Sequence, residues 1–240
     1  MSTNRILLLP VLAVGALALA LTGCAVPVPF GPVVSEERSV ASDVHAVVLA
    51  TSGNLEVVIG DETTLTVTAP ESLLDHLTSD SAGGVLTLGS IGGPLLNAFD
   101  SIRYTLTLPL VDALALEGSG DADVDFDGAE TVEISIDGSG DVRADGVDAR
   151  TVRVAISGSG DAKISGAADD GEFAVDGSGD LDASGLRVGS GAADVSGSGD
   201  VSVHAVDSLD ATVSGSGGIR YAGSPRLESD ISGSGSISSR

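Results

Sequence analysis

Gly118-Ser119-Gly120-Asp121 is the first of a series of Gly-Ser-Gly tripeptides that runs through the second half of the chain. Further copies in register start at Gly138, Gly158, Gly177, Gly197, Gly215 and Gly233, at intervals of 20, 20, 19, 20, 18 and 18 residues. Asp follows the first five copies, whereas Gly218 and Ser236 follow the last two. Because a fixed period of this length is typical of stacked coils, the sequence predicts a solenoid.

Aliphatic residues keep fixed positions around each tripeptide. Two positions before it stand Leu116, Ile136, Ile156, Val175, Val195, Val213 and Ile231, and four positions before it stand Leu114, Ile134, Val154, Phe173, Ala193, Ala211 and Ser229. Directly after the fourth repeat residue come Ala122, Val142, Ala162, Leu181, Val201, Ile219 and Ile237. Polar or small residues alternate with these columns, which predicts a strand, a turn and a second strand in every copy. We therefore predict an all-β, parallel β-helix with coils of about 20 residues.

The two glycines of each copy allow a close backbone approach at the corner, where a Cβ atom would clash. Stacked coils lie about 4.8 Å apart, so each aliphatic column becomes continuous and buried. A flexible Gly/Ser linker is the alternative interpretation, but linkers carry no aliphatic columns in register.

The N-terminus has the pattern of a bacterial lipoprotein signal. One positive charge within residues 1–5 precedes the apolar stretch 6–20, and Leu21-Thr22-Gly23-Cys24 follows. This order predicts a signal peptide over residues 1–23 and acylation of Cys24, the only cysteine of the chain. Acyl chains on Cys24 would anchor the protein at the extracytoplasmic face of the cell membrane. An ordinary signal peptide and an uncleaved membrane anchor are the alternatives.

The charge of the chain is strongly acidic. Without the signal segment it has 35 Asp and Glu against 10 Lys and Arg, a net formal charge of −25. This charge argues against nucleic acid or anionic lipid as partners, and favours solubility or attraction to cations and basic surfaces. A second long apolar run is absent from the sequence, so the sequence predicts no further membrane span.

The sequence predicts one domain behind a linker. Residues 24–43, rich in Pro and Val, are predicted to be a flexible tether. Residues 44–240 are predicted to be the solenoid, with lead-in coils and a cap over 44–111 and the repeats over 112–240. Lead-in strands are predicted at 46–50, 55–59, 64–68, 85–88 and 103–108, a short helix after Pro70, and a loop over 92–101. The last coil shows no obvious cap.

The order of motifs resembles a known family. HAVVLATSGNLEVVIGDETTLTV (45–67) is followed by PESLLDHL (70–77), then by YTLTLPLVDALALEGSGDADV (104–124) and repeated GSGDV. This order is similar to the "putative auto-transporter adhesin, head GIN domain" family of bacterial surface lipoproteins. The resemblance covers most of residues 43–240. It implies a right-handed β-solenoid outside the cytoplasm, and it supplies no catalytic residue.

The acidic residues that follow the first five tripeptides are the only group of residues in the sequence whose pattern suggests ligand binding. They are Asp121, Asp141, Asp161, Asp180 and Asp200. If they stack, their carboxylates lie about 5 Å apart at a solvated corner, where their mutual repulsion stays below about 1 kcal/mol. Turn chemistry, in which an Asp side chain accepts a backbone N–H, is the favoured explanation. A Ca²⁺ site on this column is the alternative, and no cofactor is predicted.

Enzymatic function is not predicted. Outward charges at Glu133, Arg153 and Glu172, and in the column Asp123, Arg143, Lys163 and Asp182, are interpreted as ion pairs across coils on a solvated sheet. A polysaccharide-lyase-like cleft would require long loops, and repeats of this length leave little room for them. His45 and His204 are assigned to strands and His76 to the short helix, without metal-ligand spacing. The sequence has no G-x-S-x-G motif.

The sequence thus predicts a non-enzymatic, lipid-anchored protein of the cell envelope. Its role would be adhesion or envelope structure, with an unidentified envelope or surface ligand as partner and no nucleic acid. An envelope sensor or binding module for a cation, a glycan or a protein is the alternative, and a polysaccharide-acting enzyme is a remote one.

Overall fold

Strands make up most of the structure, a computed structural model that describes residues 31–91 and 101–240. The strands are β1 (Val33–Arg38), β2 (Ala46–Leu49), β3 (Asn54–Ile59), β4 (Thr64–Pro70), β5 (Leu77–Ala82), β6 (Val85–Ser90), β7 (Arg103–Leu108), β8 (Ala113–Leu116), β9 (Ala122–Asp125), β10 (Thr131–Gly138), β11 (Val142–Gly158), β12 (Ala162–Gly177), β13 (Leu181–Gly197), β14 (Asp200–Gly215), β15 (Gly218–Ala222), β16 (Arg226–Gly233) and β17 (Ser236–Ser239). Helix α1 (Glu71–Leu74) is one turn long.

The repeats stack in parallel, as the sequence predicts. Ile136 lies opposite Ile156, and Ile156 lies opposite Val175, in a register that runs without a shift to the corner glycines. The column continues through Val195 and Val213 to Ile231. Its members from Leu116 to Val213 are buried. The β-solenoid prediction is confirmed.

Variation in repeat length is absorbed away from the Gly-Ser-Gly corner. Strands β11 to β14 each continue past the first residues after the corner and bend before they return to the next one. The register shifts lie in these bends, for example between Ala144 and Val147 and between Ala183 and Arg187. The residues before each corner therefore stay aligned although the interval changes from 20 to 18 residues.

The lead-in coils do not stack in chain order. Strands β2 and β3 form a coil that lies between two later ones: β2 pairs with β6 and β8, and β3 pairs with β7 and β9. The spatial order is therefore β6/β7, then β2/β3, then β8/β9. The lead-in belongs to the same solenoid, but its coils are not stacked in the order in which they occur in the sequence.

Antiparallel strands cap the N-terminal end of the solenoid. Strand β5 pairs with β6, β4 pairs with β7, and β1 pairs with β4. Leu73, Leu74 and Leu77 cover the end of the core. The cap thereby pairs the outer edges of β6 and β7, which would otherwise be exposed.

Part of the predicted tether is structured. Val33–Arg38 is a strand of the cap rather than a flexible segment, because each of its residues pairs with β4. The Arg38 guanidinium donates hydrogen bonds to the carbonyl oxygens of Leu74 and Leu77, which fastens this strand to the cap. The predicted signal peptide, Cys24 and most of the predicted loop 92–101 lie outside the described residues.

The C-terminal end differs from the N-terminal end. All eight residues of β16 are exposed, including Leu227 and Ile231, which continue inward-facing columns. Across residues 31–91 and 101–240, no helix has the length and apolar content needed to cross a bilayer.

Candidate functional site

The Gly-Ser-Gly corner brings the backbones of successive coils into direct contact. A Cβ atom on Gly138 would lie 2.1 Å from the carbonyl oxygen of Gly118, and one on Gly140 would lie 2.0 Å from that of Gly120. The backbone amide of Ser159 donates to the carbonyl oxygen of Gly138 at 3.0 Å. Close approach of two backbones therefore excludes any side chain at either glycine.

The aspartates beside the corner form a hydrogen-bonded ladder. The backbone amide of each Asp donates to Oδ1 of the Asp one coil earlier. The distances are 3.0 Å from Asp141 to Asp121, 3.0 Å from Asp161 to Asp141, 2.8 Å from Asp180 to Asp161 and 2.8 Å from Asp200 to Asp180. The column therefore has a structural role, because each carboxylate from Asp121 to Asp180 satisfies a backbone donor of the next coil.

The first rung of the ladder is an asparagine that sequence reasoning missed. The amide of Asp121 donates to Oδ1 of Asn54 at 3.4 Å, and the amide of Gly120 donates to the carbonyl oxygen of Thr51 at 3.3 Å. Residues 51–54 are thus a corner of the same stack. The sequence does contain a sign of this corner: Leu49 and Leu55 are separated by the same number of residues as Leu116 and Ala122, which flank the first Gly-Ser-Gly tripeptide.

The ladder predicts a clear ranking of substitutions at Asp141. We expect Asp141→Asn to change the free energy of unfolding by less than about 0.5 kcal/mol, because an amide oxygen accepts the same bond, as Asn54 does. Asp141→Ala removes the acceptor for Asp161 and is expected to cost about 1 kcal/mol. Urea denaturation followed by circular dichroism measures both. Equal stability of the alanine and asparagine variants would show that the ladder bond contributes nothing.

The Ca²⁺ alternative for this column stays a prediction. Among the described residues, no group of three or more His, Cys, Asp or Glu side chains is arranged to hold a metal ion. One oxygen of each carboxylate from Asp121 to Asp180 already accepts a backbone N–H. Hydrogen bonding of the Asp side chain to a backbone amide explains why aspartate recurs at this position. The amide belongs to the next coil rather than to the turn that contains the Asp.

A shallow groove of about 400 Å³ runs beside the ladder. Its lining combines carboxylates with two cations and comprises Asp121, Ala122, Asp123, Asp141, Val142, Arg143, Asp161, Ala162, Lys163, Asp180 and Asp182. Arg143 and Lys163 are opposite each other in the register, and Lys163 is opposite Asp182. The groove is a charged strip across four coils, open to solvent along its length.

Hydrogen bonds stabilise the ionised form of two carboxylates in this region, Asp182 in the groove and Asp145 two residues after Arg143. Ser165 Oγ donates to Asp145 Oδ1 at 2.6 Å, and this bond, together with the Arg143 guanidinium 3.0 Å away, lowers the pKa of Asp145. Hydrogen bonds from the hydroxyl and amide of Ser184 lower the pKa of Asp182. A general acid at neutral pH needs the opposite shift, so these two groups suit charge recognition rather than proton transfer.

Ion pairs across coils occur on one of the two predicted columns. Glu133, Arg153 and Glu172 lie in register, and Arg153 Nε is 2.9 Å from Glu172 Oε2. On the other column, Arg143 pairs with Asp145 of its own strand rather than with Asp123. Both pairs are exposed, so each contributes at most about 1 kcal/mol.

The three histidines are separated by the fold. His45 Nδ1 lies 2.9 Å from Asp112 Oδ1, directly before β2 rather than inside it. His76 is exposed in the turn after α1, and His204 lies in β14. The structure therefore does not bring the histidines together with the Asp ladder.

Comparisons with known proteins agree with this architecture. The model of the family described as "Putative auto-transporter adhesin, head GIN domain" matches residues 43–225. A crystal structure of a "putative adhesin" from Bacteroides fragilis superposes with a TM-score of 0.83 at 24% identity, covering 87% of this chain and 97% of that one. No curated protein matches the sequence.

Two solved structures from Parabacteroides distasonis have the same fold. One, described as a "putative lipid binding protein", has a TM-score of 0.72 at 25% identity and covers 88% of this chain and 97% of its own. The other, described as a "putative adhesin", has a TM-score of 0.71 at 23% identity and covers 88% of this chain and 98% of its own. These similarities establish the solenoid fold.

Proposed function

The chain belongs to the "Putative auto-transporter adhesin, head GIN domain" family, and from this premise we propose that it is a non-enzymatic, lipid-anchored adhesin of the cell envelope. In this proposal, Cys24 carries the anchor on the extracytoplasmic face. The solenoid then presents its outward columns to a surface or envelope ligand. The family description as an adhesin supports the binding role.

One observation carries the proposal: the polar columns are exposed and in register, while the interior is filled with aliphatic side chains. Glu172, Asp176 and Asp194 face solvent on the same side of successive coils. The full chain carries a formal net charge of −24. A repetitive acidic surface of this kind favours basic or cationic partners and repels nucleic acid.

The surface also argues against a catalytic role. Ser139 is the only residue between the two corner glycines of its coil, so this corner has no loop that could wall a cleft. The resolved pKa shifts of Asp145 and Asp182 are downward, which is unsuitable for general acid catalysis. A polysaccharide-acting enzyme therefore has no support from the described residues.

A binding module is the second candidate function, and the groove beside the Asp ladder favours it. Arg143 and Lys163 lie among the carboxylates there, which would suit a small ligand with both charges or a polar glycan. The lipid-binding description of the Parabacteroides distasonis neighbour is compatible with such a role only if lipid binds outside the solenoid. The interior is occupied by its own aliphatic columns.

The anchor is tested by expressing the full chain and the Cys24→Ala variant in a bacterial host. We expect acylation of the unaltered chain, recovery in the membrane fraction and accessibility to protease from outside. Cys24→Ala is expected to lose the acyl label and at least about 90% of the membrane-bound protein, because several acyl chains are required for firm anchoring. Ser139→Ala, at an exposed corner position, is the control and should behave as the unaltered chain.

The adhesin role has its own measurement on the same cells. Cells that display the unaltered chain are expected to be retained on a surface coated with a basic protein, and cells with Cys24→Ala are not. Retention should fall as salt is raised from about 0.05 to about 0.5 M, because screening weakens exposed charge contacts. Equal retention of both cell types on this surface would contradict the proposed role, even if the anchor is present.

A further inference from the structure

Two positive side chains lie directly opposite each other in the groove beside the Asp ladder. Arg143 of β11 and Lys163 of β12 are partners in the parallel register, so their outward side chains start about 4.8 Å apart. Like charges opposite each other on adjacent strands are destabilising. Within residues 31–91 and 101–240, no other two Lys or Arg residues are register partners. Because the chain has 35 acids against 11 Lys and Arg, an abundance of cations does not explain this pair.

The carboxylates on which the charge of Lys163 acts are already engaged by serines. Asp182 is the register partner of Lys163 on the next coil, but it accepts hydrogen bonds from the amide and the hydroxyl of Ser184. Asp145 accepts a hydrogen bond from Ser165 Oγ at 2.6 Å. Lys163 makes no ion pair with any described residue. Its ammonium group is therefore available to an anionic group of a ligand.

Arg143 can bind the same anion. Its Nε atom lies 3.0 Å from Asp145 Oδ2, whereas its two Nη atoms donate no hydrogen bond within the described part of the chain. A guanidinium group binds an anion through its planar fork, and an ammonium group binds it as a point charge. The Arg143 side chain is 55% exposed, so an anion can reach the pair from solvent.

The ladder carboxylates supply negative charge beside this pair. Asp141 and Asp161 line the same groove and lie two residues before the two cations, about 6.5 Å away along the strands. Their Oδ1 atoms accept the amides of Asp161 and Asp180, and their Oδ2 atoms accept no hydrogen bond from the described residues. The groove has six carboxylates against two cations, a formal charge of −4. It therefore repels a simple anion, but not an anion that carries its own ammonium group.

We propose that this groove binds a zwitterionic group in which a phosphate and a primary ammonium are joined by a short linker, as in phosphoethanolamine. The phosphate lies between Arg143 and Lys163, and the ammonium donates to the Oδ2 atoms of Asp141 and Asp161. An α-amino acid carries both charges on the same carbon atom, too close together to reach both columns. Phosphoethanolamine has two carbons and an ester oxygen between phosphorus and nitrogen. This inference rests on the proposed binding module and assigns it one ligand chemistry.

The ligand chemistry is tested through Lys163, which is the only lysine of the chain. Protein labelled with ¹³C at lysine Cε gives a single lysine signal, which reports on the groove. Titration of the full chain, purified in a nonionic detergent, with glycerophosphoethanolamine is expected to shift this signal with a Kd at least about tenfold lower than that of glycerol phosphate or of ethanolamine. Glycerophosphocholine has the same charges but no N–H donor, and is expected to bind several-fold more weakly. The absence of a shift with glycerophosphoethanolamine, or equal affinity for glycerol phosphate, would overturn the proposal.

Substitutions test the two halves of the site separately. Asp141→Asn combined with Asp161→Asn removes two charges and keeps the Oδ1 acceptors of the ladder, as at Asn54. We expect this double variant to lose at least about fivefold in affinity for glycerophosphoethanolamine and none for glycerol phosphate. The matched control is Asp176→Asn combined with Asp194→Asn, two exposed acids outside the groove, and it should bind as the unaltered chain does. Equal losses in both double variants would overturn the ammonium site.

The anion half is tested by Arg143→Gln, which leaves the Lys163 signal in place. This variant is expected to weaken the binding of both phosphates by at least about fivefold. Arg153→Gln is the control, because it removes the same charge from the neighbouring outward column, where Arg153 pairs with Glu172. Similar affinities of these two variants for glycerophosphoethanolamine would overturn the phosphate site.

Two further titrations identify the source of the group and separate this inference from the proposed function. A shift with mixed micelles that contain phosphatidylethanolamine would assign the group to a membrane lipid. A shift with glycerophosphoethanolamine alone would assign it to a water-soluble or polymer-linked group, and either result supports the site. A shift with the neutral glycan maltotriose and none with glycerophosphoethanolamine would leave the binding module in place and overturn the zwitterion. Retention of cells on the basic protein surface is measured separately, so failure of the adhesin role is also distinguishable.

Discussion

Replacing Ile136 by Asp is expected to abolish the folded repeats. Ile136 is 1% exposed and lies between Leu116 and Ile156 in the central aliphatic column. An aspartate there would bury a carboxylate without a partner, which costs several kcal/mol, at least about 4. Since small domains have a total stability of about 5–15 kcal/mol, most of it would be lost. Loss of the strand signal in circular dichroism at room temperature, or a urea midpoint close to zero, is the expected measurement.

Ser135→Asp is the matched control for this substitution. It introduces the same side chain one residue earlier, on the outward side of β10. We expect it to change the free energy of unfolding by less than about 0.5 kcal/mol, as is usual for surface substitutions. If Ser135→Asp destabilised the protein more than Ile136→Asp, the assignment of inward and outward faces would be reversed.

A methyl group at Gly160 is expected to separate two coils. The added Cβ atom would lie 2.1 Å from the carbonyl oxygen of Gly140 and 3.0 Å from Ile136 Cγ2. The clashing atom belongs to the backbone of the adjacent coil, which is held by hydrogen bonds on both sides and cannot move alone. We expect Gly160→Ala to cost about 3 kcal/mol or more, at the upper end of the usual cost of overpacking.

Two controls distinguish a clash from a general effect of the substitution. Ser159→Ala alters the exposed residue of the same corner and is expected to be nearly neutral. Gly185→Ala adds the same methyl group where the nearest atom is 3.3 Å away, in a backbone conformation open to alanine. If Gly160→Ala were no more destabilising than Gly185→Ala in urea denaturation, close backbone approach would not explain the repeated glycines.

The repetitive half of the fold could be predicted because its spacing is nearly constant. Each aliphatic position recurs after 18–20 residues, so equivalence between Ile136 and Ile156 requires only an alignment of the chain with itself. The period-two alternation then assigns the inward face. The structure confirms both features, with Ile136 and Ile156 paired and buried.

The N-terminal part could not be predicted in the same way. Asn54 satisfies the amide of Asp121, 67 positions later, and the intervening chain forms the cap and another coil. Nothing local in the sequence indicates that the coil of β2 and β3 is inserted between two later ones. Strand β1 follows a proline-rich stretch and gains its order from pairing with β4, which propensity alone does not indicate.

The Asp ladder could be predicted from the sequence only in part. Turn chemistry at Asp141 could be inferred from the sequence, but its donor is the amide of Asp161, which only the stacking register identifies.

The stacking of residues about 20 positions apart is tested most directly by contacts between methyl groups. In protein with labelled Ile and Val methyls, nuclear Overhauser effects are expected between Ile136 and Ile156 and between Ile156 and Val175, which lie opposite each other in the register. Adjacent strands are about 4.8 Å apart, so such methyls are within range. Contacts of Ile136 only with residues close to it in sequence would contradict the solenoid.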